Sequence, residues 1–303
     1  METRKLIKVS ASCQDLRIDQ FLSNYLKISR SKLKKYINEE KIFLNDAPTK
    51  INRKVKMDDV ILCVFDIENN AERFDRPEKI ELDIIYEDKF LLAINKQPNI
   101  VVHPGAGNLN GTIMNGLLGY NKVFNLVDRA GIVHRLDKDT SGVLVIAKDN
   151  VIKEKLQEQF KSRIVKKMYT AIVYGKLDKD MFIENSIGRH PIHRRKQTIL
   201  KTGGRKAISI ISTQQVFENT SLVNVDIKTG RTHQIRVHLS HIGHPIIGDN
   251  LYGHKKSLAK KFDVNRQMLH ASSLEIIHPV HEKKLKFIAP LPKDISYFVK
   301  GLS

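Results

Sequence analysis

Residues Arg129 to Asp149 read RAGIVHRLDKDTSGVLVIAKD: a charged loop followed at once by the apolar run VLVIA. An apolar run of this length between Gly142 and Lys148 predicts a buried strand over Val143–Ala147. The loop ahead of it carries His134, Arg135, Asp137 and Asp139. Loops anchored on rigid strands are where chemistry tends to be placed. Working outward, strand-like runs recur at Leu82–Tyr86, Phe90–Asn95, Met168–Tyr174, Ala207–Val216 and Leu222–Lys228. Helical spacing is confined to Asn150–Phe160 and Asp294–Lys300 in this half of the chain. Successive strands with scattered helices predict an α+β domain built on a largely antiparallel mixed sheet.

Three readings compete for the two aspartates of the loop. Asp137-Lys-Asp139-Thr-Ser141-Gly142 opens like a calcium-binding EF-hand loop, but its twelfth position, which must be a bidentate Glu, is Lys148. A cation there excludes calcium. Asp139, with Thr140 and Ser141 behind it, fits a side-chain-capped turn ahead of the strand. Asp137, next to an arginine in a basic chain, fits a carboxylate kept ionised, which suits a nucleophile and not an acid. Other signatures fail. There is no G-x-x-x-x-G-K-[ST] loop for nucleotide phosphates. Gly105, Gly107 and Gly111 miss the dinucleotide spacing by one residue. His233, His238, His241 and His244 lack an H-E-x-x-H frame and a neighbouring cysteine, so RNA contact or helix packing fits them better than zinc. The H-x-E…P-C-x-x-C pattern of zinc nucleobase deaminases is also missing.

The chain has 303 residues, 41% apolar and 28% charged, enough for two domains with real cores. No apolar run approaches the roughly 18 residues of a membrane span, and the N-terminus lacks a signal core. Cys13 and Cys63 form no metal or redox spacing, so a reduced, cytoplasmic setting is expected. The 52 Lys+Arg against 33 Asp+Glu give a net charge of +19, the footprint of a polyanion partner.

Residues 1–75 read as a first domain with its linker, and residues 76–303 as a second. In the first, Ile18, Phe21, Leu22, Tyr25 and Leu26 repeat at helical spacing. A second helix, capped by Ser29 or Ser31, turns Leu33, Tyr36 and Ile37 inward and Arg30, Lys32, Lys34 and Lys35 outward. Strands over Lys41–Leu44 and Val60–Phe65 follow, then a polar linker over Asp66–Lys79. From Cys13 to Phe65 this small αα-β pattern resembles an S4 RNA-binding domain, which implies a structured RNA partner.

The second domain carries a more specific resemblance. His134-Arg-Leu-Asp137-Lys-Asp-Thr-Ser-Gly142 resembles the signature of the RluA-type pseudouridine synthases. Val101-Val-His103-Pro-Gly105 is similar to that family's upstream loop, and Lys166-Lys-Met-Tyr169 to the strand bearing its tyrosine. Thr229-Gly-Arg231-Thr-His-Gln-Ile-Arg236-Val-His238 resembles its arginine block, continued by Gly243 to Gly253. The match runs from about Leu82 to Pro290. The family usually reads Asn-Lys-Pro where this chain has Asn95-Lys96-Gln97. The resemblance implies isomerisation of uridine to pseudouridine with no cofactor and no metal. It assigns the catalytic carboxylate to Asp137, base stacking to Tyr169 and pairing with Asp137 to Arg236. RNA contacts are implied for His134, Arg135 and Arg231, and for the S4-like face of Arg30, Lys32, Lys34 and Lys35. The His103-Pro-Gly-Ala-Gly-Asn108 wording and the S4-like module point to the D-type branch. That branch implies large-subunit (23S) ribosomal RNA, its helix 69 stem-loop, as substrate, with a monomeric enzyme and no membrane. The competing class is an S4-type RNA-binding or ribosome-assembly factor in which modification is secondary.

Overall fold

In the computed structural model, Ser141–Ala147 is a strand whose residues are all buried. Residues 4–26, 28, 30–64, 76–105, 107–253 and 257–302 are described. From Val143 on the strand is apolar because both of its faces are covered. Leu144 and Ile146 enter a core with Ile113, Leu117 and Phe124, while Val143, Val145 and Ala147 enter another with Ile152 and Leu156. At roughly 1.5–3 kcal/mol for each fully buried branched side chain, this strand is a firm base for the loop before it.

The chain divides into two compact units, Met1–Phe74 and Asp75–Ser303. The first holds β1 (Arg4–Lys8), α1 (Ile18–Leu26), α2 (Arg30–Asn38), β2 (Ile42–Leu44), β3 (Ala47–Pro48) and β4 (Val60–Val64). Its strands form a sheet in the order β1-β4-β2-β3. Ile18, Phe21, Leu22 and Leu26 of α1 meet Leu33, Tyr36 and Ile37 of α2 in one core with Ile42, Ile61 and Cys63. Tyr25 departs from the expected stripe. It is 53% exposed, stacks on Phe21 and lies under the Lys5 ammonium. Ser31 is no cap, since α2 already begins at Arg30; Ser29 lies outside the described residues. Lys34 and Lys35 are exposed, and the side chains of Arg30 and Lys32 lie outside the described residues.

Of the expected linker, residues 66–75 also lie outside the described residues, as does Phe65 before it. The rest of it is not free chain. Asn115 donates to the Arg76 carbonyl at 2.8 Å, Glu78 N–H donates to the Asn115 carbonyl at 3.0 Å, and the Glu78 carboxylate accepts Gly111 N–H. A buried asparagine thus ties this stretch to the second unit.

The second unit is α+β around a large mixed sheet. Its strands are β5 (Ile84–Glu87), β6 (Leu91–Lys96), β7 (Ser141–Ala147), β8 (Lys166–Tyr174), β9 (Met181–Arg189), β10 (Gln197–Ile199), β11 (Arg205–Val216), β12 (Thr220–Ile227), β13 (Leu269–Ile277) and β14 (Lys284–Ile288). They run in the order β10-β9-β11-β12-β8-β13-β7-β6-β5, with β14 also on β13. The helices are α3 (Ile113–Tyr120), α4 (Asn150–Lys161), α5 (Gln234–His241), α6 (Ser257–Lys261) and α7 (Lys293–Lys300). Among the described residues, no helix is long and apolar enough to cross a membrane.

One strand pair departs from the antiparallel pattern. β13 meets β7 in parallel at His270–Ser141 and Ala271–Gly142, and from Ser273 onward β14 takes over the same edge. Gly142 makes this approach possible. Its φ is +115°, and a Cβ there would stand 2.2 Å from the Ala271 carbonyl oxygen. Gly142→Ala is therefore expected to destabilise the protein by about 2 kcal/mol or more, read from urea unfolding midpoints. A midpoint equal to wild type would show that the two strands can separate at no cost.

Candidate active site

The loop before β7 is shaped by its backbone. Arg129, Ala130 and Gly131 all have positive φ, a left-handed turn that delivers Ile132 to a bridge with Ile146. His134 comes next, the residue for which the resemblance implies an RNA contact. Its Nε2 accepts the Val145 N–H at 2.9 Å, and its ring stacks on Phe160 at 4.7 Å. Burial, helped by Lys167, pushes the imidazole down to about 3, so it stays a neutral acceptor. Its work is to pin the loop onto β7, whose parallel partner has already diverged.

Lys96 pins the loop from the other side. The side chain is 1% exposed, and Nζ donates to the carbonyls of Gln97 at 2.8 Å, Ile100 at 3.0 Å and Lys138 at 2.9 Å. The chain's departure from the usual Asn-Lys-Pro leaves this grip intact, because Gln97 contributes only its carbonyl. Burial pushes the Lys96 ammonium down to about 7, against the pull of Asp139 and Asp137. Between these anchors Thr140 N–H donates to the Asp137 carbonyl at 3.1 Å, a turn around Asp139 closed by backbone groups and not by the side-chain cap that the sequence suggested.

Asp137 then faces α5. Arg236, the third residue of that helix, donates from Nη1 to Asp137 Oδ2 at 3.0 Å. Its remaining edge goes to Asp249: Nε to Oδ2 at 2.7 Å and Nη2 to Oδ1 at 3.0 Å. The Asp249 side chain is wholly buried and also accepts the N–H groups of Leu251 and Tyr252. Burial opposes the charge on Arg236, but hydrogen bonds and charges from Asp249, then Asp137, outweigh it and hold the guanidinium above its ordinary range. The guanidinium lies 5.1 Å from the centre of the Tyr252 ring.

A second chain of contacts reaches the same carboxylate. Gln197 N–H donates to the Tyr252 hydroxyl, which lies 2.8 Å from His233 Nδ1. With the Tyr252 proton given to Nδ1, the tautomer assigned from this network carries its proton on Nε2, 3.8 Å from Asp137 Oδ2. Burial lowers the His233 imidazole despite the pull of Asp137, so it stands neutral at the start of α5. Two other histidines of the cluster pack the fold: His238 pairs with Ser209 and His244 with the Tyr174 carbonyl, while His241 is exposed.

Asp137, Tyr169 and Arg236 line one cavity of about 110 Å³, with Ile227, Ile235 and Leu269 as its apolar share. Sheet register delivers Tyr169: Ser141, His270 and Thr170 lie side by side across β7, β13 and β8. Burial, together with Asp137, pushes the Tyr169 phenol up, so it stays protonated and offers a flat neutral ring. Arg135 and Arg231 also line it, and Arg231 Nε is held by the Lys206 carbonyl at 2.9 Å. Arg135 also borders a second cavity of about 250 Å³ with His103 and Lys138. Sequence reasoning assigned no role to Lys96, Asp249 or Tyr252. Asp249 had a readable signal, a lone acid directly after the apolar Pro245-Ile-Ile-Gly248.

A flat ring, an ionised carboxylate and flanking arginines make a site for a nucleobase with its phosphate. Residues 90–241, half the chain, match the family described as RNA pseudouridylate synthase. The chain belongs to this family. It is 39% identical over 292 residues to ribosomal large subunit pseudouridine synthase D of Nitrosomonas europaea, covering 95% of this chain and 84% of that one. The protein of the same name from Escherichia coli O6:H1 is 37% identical, covering 92% and 88%. Among solved structures, human RNA pseudouridylate synthase domain containing 4 superposes with a TM-score of 0.58 at 26% identity, covering 73% of this chain and 92% of that chain.

The Lys96 site makes a test of its own. The native protein releases this proton near pH 7, whereas an unfolded lysine holds it to about 10.4. The unfolded state therefore binds more protons between these values, and this group adds stability as pH rises. From pH 7 to 9 wild type is expected to gain on the order of 2 kcal/mol relative to Lys96→Met in urea unfolding. Equal pH slopes in the two proteins would show that the three carbonyls keep Lys96 charged throughout.

Proposed function

We propose that this protein isomerises uridine to pseudouridine in large-subunit (23S) ribosomal RNA, in the helix 69 stem-loop, with Asp137 as the reacting carboxylate. The observation that carries this reading is the 3.0 Å contact between Asp137 and the buried Arg236, beside Tyr169 in a cavity of base-sized scale. The names of the relatives support the choice of RNA. The reaction breaks the C1′–N1 bond, turns the uracil and joins C1′ to C5. N1 gains a proton and C5 loses one, so atoms and electrons balance without a cofactor.

The target uridine leaves its stack, at a cost of a few kcal/mol, and stacks on Tyr169. Arg236 holds Asp137 in place at the edge of the cavity. An ionised carboxylate serves either route to cleavage, attack on the sugar or removal of a sugar proton. Arg135 contacts the RNA where the base had been, and Arg231 takes a phosphate. Arg30, Lys32, Lys34 and Lys35 of the S4-like first unit add backbone contacts, in keeping with the net charge of +19. The enzyme acts as a cytoplasmic monomer.

Asp137→Asn keeps the shape and removes the charge, so turnover is expected to vanish with RNA affinity within about threefold of wild type. Asp139→Asn is expected to keep substantial activity, since the turn there is held through backbone groups. Tritium release from C5-labelled uridine in a 23S transcript measures both, and carbodiimide-blocked primer extension locates the product. Release by the Asp137 variant at the wild-type rate would remove the carboxylate from the chemistry.

A further inference from the structure

The segment leading into β13 runs beside the catalytic loop and holds it residue by residue. Arg266 Nη1 donates to the Asp139 carbonyl at 3.0 Å, Gln267 Nε2 donates to Thr140 Oγ1 at 3.2 Å, and His270 Nδ1 lies 3.0 Å from Ser141 Oγ. The parallel pairing of β13 with β7 begins at that last contact. Arg266, Gln267 and His270 are all buried. Arg266 is the hub of this splint, because its Nη1 also reaches the carbonyls of Gln267 at 3.3 Å and Leu269 at 3.4 Å.

What aims the Arg266 fork lies on another element. Asp294, near the start of α7, takes Nε at 2.6 Å and Nη2 at 2.9 Å in a bidentate pair. Its Oδ1 also accepts the Ile295 N–H at 2.8 Å. The helix itself is fixed in the core through Ile295 and Phe298. We infer that Asp294 is a positioning residue for the isomerisation. By orienting Arg266 it fixes the Asp139 carbonyl, and with it the turn closed by Thr140 N–H on Asp137, so the terminal helix sets where the carboxylate stands. This rests on the proposed function.

A merely structural ion pair would behave differently. The Asp294 side chain is 42% exposed, but its partner Arg266 is only 6% exposed, so loss of the pair also costs folding stability, and the rate is read against the fraction folded. Placement of a reacting group is far more sensitive, since a shift of about 1 Å can cost ~100-fold in rate. A loss of rate greater than the lost folded fraction explains is therefore the signature of positioning.

The test uses the full chain and a 23S transcript in single turnover at saturating enzyme. Asp294→Asn is expected to lower the rate about tenfold to a hundredfold, with RNA affinity within about twofold and the protein still folded at the assay temperature even where its unfolding midpoint falls. Arg266→Lys keeps the charge but loses the fork, and is expected to match it. Asp294→Glu restores the charge and should recover part of the rate. Tyr297→Ala, on the exposed side of the same helix, should change nothing. Wild type active with Asp294→Asn equally active overturns the inference alone. So does a rate that falls only in proportion to the fraction folded. A wild type without activity on the transcript overturns the proposed function, and this role with it.

Discussion

The site depends on one buried arginine shared unequally between two aspartates. Arg236 gives two parallel hydrogen bonds to Asp249 and a single one to Asp137. Two acids around one base leave a net negative charge, and the geometry places it on Asp137. Asp249 is closed in and saturated by the N–H groups of Leu251 and Tyr252. Asp137 keeps one oxygen tied and borders the cavity. Breaking a buried pair of this kind leaves an uncompensated charge, at roughly 3–5 kcal/mol. Arg236 thus orients its helix and its carboxylate together.

The rest of the second unit holds that carboxylate opposite the helix. Three separate strands or segments contribute, each through a different chemistry. His134 accepts a strand N–H, Lys96 donates to the Lys138 carbonyl, and Arg266 donates to the Asp139 carbonyl. The consecutive carbonyls after Asp137 are therefore both held by buried basic side chains. Burial of those side chains is supportable only because carbonyls and carboxylates surround them. A polar loop placed on a strand buried on both faces gains rigidity from the sheet without becoming part of it.

How much of this was legible in the sequence follows from which way the side chains point. Strands β6, β7, β8, β11 and β12 were readable because their apolar residues face cores on one or both sides. α5 was not read as a helix because its buried side includes Gln234, Arg236 and His238, so polarity hides the period. β13 was missed because Ser272 and Ser273 interrupt its apolar run, and α3 because two glycines dilute its pattern. β9 alternates weakly, with Glu184 and Asn185 amid few buried residues. Within the site, Asp137, Tyr169 and Arg236 are brought to one cavity, as the family resemblance implied. The packing of His134 on Phe160 joins residues 26 apart, which no local spacing reveals. Lys96 and Asp249 went unassigned because their partners are backbone groups or distant in the chain, which no local spacing reveals.

The shared arginine is the claim most open to direct attack. Arg236→Lys keeps a cation beside Asp137 but cannot span Asp249 and Asp137 with one planar fork. Single-turnover rates on a 23S transcript, with binding titrations at two salt concentrations, separate the possible roles. The ion bridge requires a rate lower by about a hundredfold with RNA affinity and salt slope unchanged. A wild-type rate with the salt slope reduced by about one contact would instead make Arg236 a phosphate ligand and contradict the account.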